Sequence, residues 1–168
     1  MNRRTLSVVA LAAALVSSLS FSLSARAEDI SIPIPETKSL YERLGGEAAI
    51  TAVVEEFVGL AAADPAVNFI RKGTPKEWDA TPENLATLKK HLTQFICSAT
   101  GGPQVYEGRD MKTVHEGMQI AESEFGAIAG DLKTALTKFN VPQKEQDELI
   151  GIVATTKGSI VEEEAPAS

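Results

Sequence analysis

Sixteen basic against 23 acidic residues leave this 168-residue chain with a net charge of −7, a balance that argues against nucleic acid or anionic lipid as a partner. A single cysteine, Cys97, excludes an internal disulfide framework. Two histidines, His91 and His115, exclude a three-histidine zinc site, and no P-loop, nucleophile elbow or dinucleotide fingerprint is present.

Residues 1–27 have the layout of a secretory signal peptide. Asn2-Arg3-Arg4 gives a positive start, Leu6 to Phe21 an apolar run, and Ala25-Arg26-Ala27 a small-x-small cleavage site before Glu28. The run is interrupted by Ser17, Ser18 and Ser20 and falls short of the roughly 20 residues that span a bilayer. The expectation is an exported protein, periplasmic or extracellular, with no membrane association after cleavage; Arg3-Arg4 alone does not separate Sec from twin-arginine export. Loss of Arg3, Arg4 and Arg26 takes the net charge from −7 to −10. Residues 28–36 carry Pro33 and Pro35 and read as an extended leader. The acidic stretch 162–168 reads as a disordered tail, so one domain is expected within 28–161. Without disulfides, it must be held by its core or by a bound cofactor.

Within that domain apolar residues recur at helical spacing. Ile50, Val53, Val54, Phe57, Val58 and Ala61 form one face of a first long helix, which Asp64-Pro65 ends. Thr81-Pro82 reads as an N-cap followed by proline at the first helical position. The helix that follows places Leu85, Leu88, Leu92, Phe95, Ile96 and Ala99 on one stripe, with Cys97 off it and packed against a neighbour, until Gly101-Gly102-Pro103 stops it. A short third segment carries Met111, Val114, His115 and Met118. A fourth carries Phe125, Ile128, Ala129, Leu132, Leu136 and Phe139. Pro142 opens the last, with Leu149, Ile152, Val153 and Ile160 inward. The fold class is all-α, with about five main helices.

His115 carries the chemical signal. A neutral imidazole flanked by Met111, Val114 and Met118 suits the proximal side of a haem iron. The same position also suits a core histidine bonded to a backbone carbonyl. The residues alone leave both readings open.

The surrounding sequence resembles the group I truncated haemoglobins. The likeness rests on Leu40-Tyr41-Glu42-Arg43-Leu44-Gly45-Gly46, on Phe57 with Asp64-Pro65, on Gly101-Gly102-Pro103, and on the block from Tyr106 to His115. It extends over nearly all of the chain from Leu40 to about Val161. The resemblance implies a truncated globin fold, a two-over-two helical sandwich around haem, with glycine corners that let a shortened globin turn tightly. It implies haem b, held non-covalently, with His115 as the iron's axial ligand; the absence of C-x-x-C-H agrees with non-covalent binding. It implies haem contacts from Phe57, Leu88, Leu92, Phe95, Tyr106, Met111 and Val114. The gas partner is dioxygen, carbon monoxide or nitric oxide.

This chain departs from the family on the distal side. Val58 stands where relatives usually carry a tyrosine that donates a hydrogen bond to bound dioxygen, and Leu92 where many carry glutamine. Leu88 and Ile96 are also apolar. A peroxidase or nitric-oxide dioxygenase would use a distal donor, so a non-enzymatic gas binder is the expected role. Arg71 or Lys72 can supply a donor from the segment between Asn68 and Thr81, which is longer than in the family. There Phe69 or Ile70 takes the place of the family's haem-packing phenylalanine, and Trp78 is expected to stack on a surface helix. His91 lies on the shoulder of the haem-facing stripe. It either binds iron as a sixth ligand, which implies electron transfer or redox sensing with a redox partner, or projects toward solvent or a propionate beside Lys89 and Lys90. A third reading is a haemless helical interaction module.

Overall fold

The caps in the sequence set where the helices begin. The computed structural model describes residues 38–162 and contains, among them, seven helices and no strand. They are α1 (Leu40–Arg43), α2 (Gly46–Ala63), α3 (Pro82–Ala99), α4 (Met111–His115), α5 (Glu122–Lys138), α6 (Gln143–Ala154) and α7 (Lys157–Ile160). Ser39 caps α1 in a reciprocal box, its Oγ accepting from the Glu42 amide while the Glu42 carboxylate accepts from the Ser39 amide. Thr81 caps α3 by accepting from the Asn84 amide, and Pro82 takes the first helical position. The stretches expected from sequence to be a signal peptide (1–27), an extended leader (28–36) and a tail (from 163) lie outside the described residues. Glu162, assigned to the tail from sequence, belongs instead to the folded domain, where its amide donates to Ile120 O at 3.0 Å.

Helix α2 is the spine of the core. Its six stripe residues, Ile50, Val53, Val54, Phe57, Val58 and Ala61, are all buried, and each larger apolar side chain among them contributes about 1.5–3 kcal/mol by leaving water. They pack against α3 on one side and α5 on the other, α5 packs against α6, and α1 bridges α2 and α6. The α2–α3 and α5–α6 pairs form the two layers of a two-over-two sandwich. Cys97 is fully buried in this core as a free thiol.

Both glycine corners close on Tyr41. The Tyr41 amide donates to Thr100 O at 2.9 Å, tying the start of α1 to the end of α3. Its hydroxyl accepts from the Glu47 amide and from Gln104 Nε2. A Cβ on Gly102 would lie 2.6 Å from the Tyr41 ring and 2.8 Å from Cys97 O. Gly45, with φ of 95°, and Gly101, with φ of 88°, adopt the left-handed backbone that favours glycine.

Four details differ from the periodicity. Ala99 and Phe139 are exposed, because each sits at the last residue or C-cap of its helix, where the stripe no longer faces a neighbour. Helix α4 ends at His115, so Met118 lies in the turn beyond it. The last helix divides at Thr155 and Thr156, whose hydroxyls bond back to the carbonyls of Ile152 and Val153, leaving Ile160 half-buried on α7.

Candidate functional site

Helix α4 is a five-residue helix whose start is fixed by Asp110, a carboxylate N-cap accepting from the Thr113 amide at 2.9 Å. At its other end His115 is half-buried, and its Nδ1 lies 2.7 Å from the carbonyl oxygen of Met111. A carbonyl can only accept, so Nδ1 carries the proton and Nε2 keeps its lone pair. Burial pushes the imidazole below its ordinary value, the Met111 bond opposes that, and the Arg71 charge lowers it further; the net shift is downward. Burial thus favours the neutral ring, and the Met111 bond orients it through Nδ1, the arrangement common to metal-ligating imidazoles.

Helix α3 supplies the apolar wall. Leu85, Leu88, Leu92 and Phe95 are half-buried and pack against the core, while Ile96 is buried. Tyr106 stands edge-on to Phe95, with ring centroids 5.8 Å apart, and edge-on to His91 at 6.2 Å. Its segment is held to α3 by Glu107, which accepts from Gln94 at 3.0 Å and pairs with Lys90 at 2.8 Å. The Tyr106 hydroxyl donates to Arg109 O, and a Cβ on Gly108 would lie 2.2 Å from that hydroxyl oxygen. Any larger residue there would displace the Tyr106 ring. His91 packs against Tyr106. Among the described residues no hydrogen bond reaches the His91 ring.

The loop from Asp64 to Thr81 corrects two expectations. Arg71 is not a distal donor; it is buried, and its guanidinium donates to Glu124, to Asn68 O at 2.6 Å and to Met118 O at 2.9 Å. Lys72 is exposed. Trp78 does not stack on a helix but donates from Nε1 to Phe69 O at 3.0 Å and packs its ring on Phe69. Of the two candidate loop residues, Phe69 packs against the core while Ile70 is exposed. Periodicity could not show the Arg71–Glu124 pair or the bonds of Glu162 to the turn after His115, because each joins residues far apart in sequence.

The donor set suits haem. A neutral imidazole with a free Nε2 sits beside Met111 and Val114, both half-buried. Half-buried Leu88, Leu92 and Phe95 offer the apolar surface a porphyrin needs, and Tyr106 the aromatic edge. Phe57 and Val58 are buried on α2. Among the described residues no cluster of three or more His, Cys, Asp or Glu forms another metal site.

The comparisons agree. Residues 39–162 match the bacterial-like globin family. The chain is 36% identical over 130 residues to the group 1 truncated hemoglobin GlbN of Mycolicibacterium paratuberculosis, covering 77% of this chain and 89% of that protein. It superimposes on truncated hemoglobin of Tetrahymena pyriformis in the Fe(III) form with a TM-score of 0.64 at 28% identity, covering 74% of this chain and 98% of that one. A 2/2 hemoglobin of Synechococcus, in the cyanomet state and with covalently attached heme, gives a TM-score of 0.61 at 32% identity, with 74% and 98% covered. The chain belongs to the bacterial-like globin family, within the group 1 truncated haemoglobins, whose members are haem-binding globins.

Proposed function

We propose that the chain binds haem b non-covalently through His115 and reversibly binds a diatomic gas in an apolar distal pocket. The observation that carries this reading is the His115 geometry, in which Met111 O takes Nδ1 and leaves a neutral Nε2 for iron. When bound, ferrous haem supplies an iron centre whose sixth position accepts dioxygen, carbon monoxide or nitric oxide. Leu88, Leu92, Phe95 and Tyr106 would flank the ring and exclude water from it. Val58, Leu88, Leu92 and Ile96 present no hydrogen-bond donor, and Glu124 holds Arg71 elsewhere. A hydrogen bond to a charged acceptor is worth about 1.5–3 kcal/mol, so a pocket without one retains dioxygen weakly and favours the less polar gases. Non-covalent binding is supported by the absence of C-x-x-C-H and by the burial of Cys97. The test is an absorption spectrum of the haem-reconstituted protein. The reading predicts a high-spin, five-coordinate ferrous form that shifts on adding carbon monoxide; no Soret band at all would end it.

His91 supports a second reading. It is half-buried, adjoins Leu92 and packs on Tyr106 with no hydrogen bond to another described residue, so its nitrogens are free to ligate. Ligation by both His115 and His91 would suit electron transfer or redox sensing with a protein partner. In that case the same ferrous spectrum is low-spin with sharp visible bands.

Residues 1–27 are proposed to direct export, placing the globin in the periplasm or outside the cell. Support comes from the charged start, apolar run and small-x-small site. A secreted chain beginning at Glu28 by mass spectrometry is the expected result; an intact Met1 start in the cytosol would oppose it.

A further inference from the structure

A five-residue helix cannot hold an axial ligand by itself, since nucleating one turn costs more than its few hydrogen bonds return. What fixes His115 must come from outside α4. Asp110 caps the start, but after the ring the chain enters a turn, Glu116–Ala121, in which Gly117 (φ 79°) and Gln119 (φ 54°) are left-handed. That conformation is unfavourable for glutamine and persists only where surroundings impose it.

Two ionised side chains from distant parts of the chain impose it. Glu162, just past α7, accepts from the amides of both Gly117 and Gln119, at 3.0 Å for the latter, while its own amide donates to Ile120 O at 3.0 Å. Arg71, itself left-handed at φ 55°, donates to Met118 O at 2.9 Å. The Met118 amide in turn donates to His115 O at 2.9 Å. Glu124 locks the Arg71 fork, and also accepts from the amides of Asn68 at 2.9 Å and Ala121 at 3.2 Å. The turn's main-chain groups are thus held by charge-assisted bonds, which are shorter and stronger than neutral ones. The contact of α7 with α4 brings Glu162 into place.

We infer that Arg71 and Glu162 are positioning residues for His115, clamping the turn that follows it so that Nε2 is held at one distance and tilt for iron. This rests on the reading of His115 as the axial ligand. The clamp joins the C-terminal segment and the 64–81 loop to the metal side of the pocket.

The test uses the full-length chain loaded with haem, with Glu162→Gln, Arg71→Met and Arg71→Lys. Two quantities are read: the iron–histidine stretching band of the ferrous form by resonance Raman, and the rate of haem transfer to excess apomyoglobin. Removing a partner that orients a metal ligand typically costs 10- to 100-fold, so haem loss should accelerate about tenfold or more in Glu162→Gln and Arg71→Met. The band should shift or broaden in both. Arg71→Lys, which keeps the charge but not the fork, should restore part of each signal. Glu162→Gln keeps the shape of the side chain and decides the matter even if Arg71→Met does not fold. An unchanged band and haem-loss rate in Glu162→Gln, with His115→Ala abolishing the Soret band, would overturn the clamp alone. A Soret band that survives His115→Ala would overturn the axial-ligand reading on which the clamp rests.

Discussion

The Nδ1 of His115 lies 2.7 Å from the carbonyl oxygen of Met111, one helical turn earlier on the same short helix. The bond does two things. It fixes the ring plane relative to α4, and it places the proton on Nδ1, leaving Nε2 as the nitrogen that could meet a metal. Donation to a carbonyl also makes the imidazole a stronger base toward a metal. A core histidine bonded to a backbone carbonyl shares this geometry, and it is membership of the bacterial-like globin family that favours the proximal-ligand reading.

If the distal side lacks a donor as proposed, one can be added. Val58 is buried on α2, one residue after Phe57. Val58→Tyr adds a hydroxyl that can donate to bound dioxygen, an interaction of about 1.5–3 kcal/mol. At about 1.4 kcal/mol per tenfold, dioxygen dissociation should slow by roughly ten- to a hundredfold. Stopped-flow dissociation with an oxygen scavenger checks this, and an unchanged rate would show that another group already donates.

His91→Ala separates the two functional readings. If the sixth position is open, the variant keeps the wild-type high-spin ferrous spectrum, and carbon monoxide binds at the wild-type rate. Conversion of a low-spin wild type to a high-spin variant would establish His91 as the sixth ligand and move redox roles ahead of gas binding.

Gly102→Ala should destabilise the fold without touching the pocket's chemistry. The new Cβ would sit 2.6 Å from the Tyr41 ring and 2.8 Å from Cys97 O, one of them backbone. Overpacking of this kind costs about 1–3 kcal/mol. In urea the unfolding midpoint should fall with an unchanged slope; an unchanged midpoint would mean that Tyr41 moves freely aside.

Acid should loosen the loop that carries Arg71. Burial tends to raise the Glu124 carboxyl, but bonds from Arg71 and from the amides of Asn68 and Ala121 outweigh it, leaving the group below the ordinary value of 4.5. A carboxyl depressed by folding contributes stability above its unfolded value, lost as pH falls through the folded one. Stability should therefore hold above about pH 5 and decline below it. Glu124→Gln should be less stable at neutral pH and show a shallower decline in acid. Parallel curves for wild type and variant would show that other carboxylates govern the acid limb.

The local order of this fold is written in the sequence, and its long-range polar contacts are not. All six stripe residues of α2 are buried, and the Thr81 cap and both glycine corners sit where their chemistry predicts. His115 stands out by lying on an apolar stripe, but its reading as a ligand comes from the resemblance carried by the block from Tyr106 to His115. Arg71 reads as a candidate distal donor because nothing near it in sequence signals Glu124, 53 positions later. Glu162 reads as part of an acidic tail for the same reason, since its partners Gly117 and Gln119 lie 45 and 43 positions away. Thr155 and Thr156 divide the last helix through hydroxyl bonds to their own preceding turn, a competition that apolar periodicity does not register.

The most direct measurement is the Soret absorption of His115→Ala beside wild type after both are incubated with haem and passed over a desalting column. The expected result is a strong Soret band in wild type and its loss in the variant, with added imidazole restoring part of it. Equal bands in the two proteins would contradict the assignment of His115 as the iron ligand.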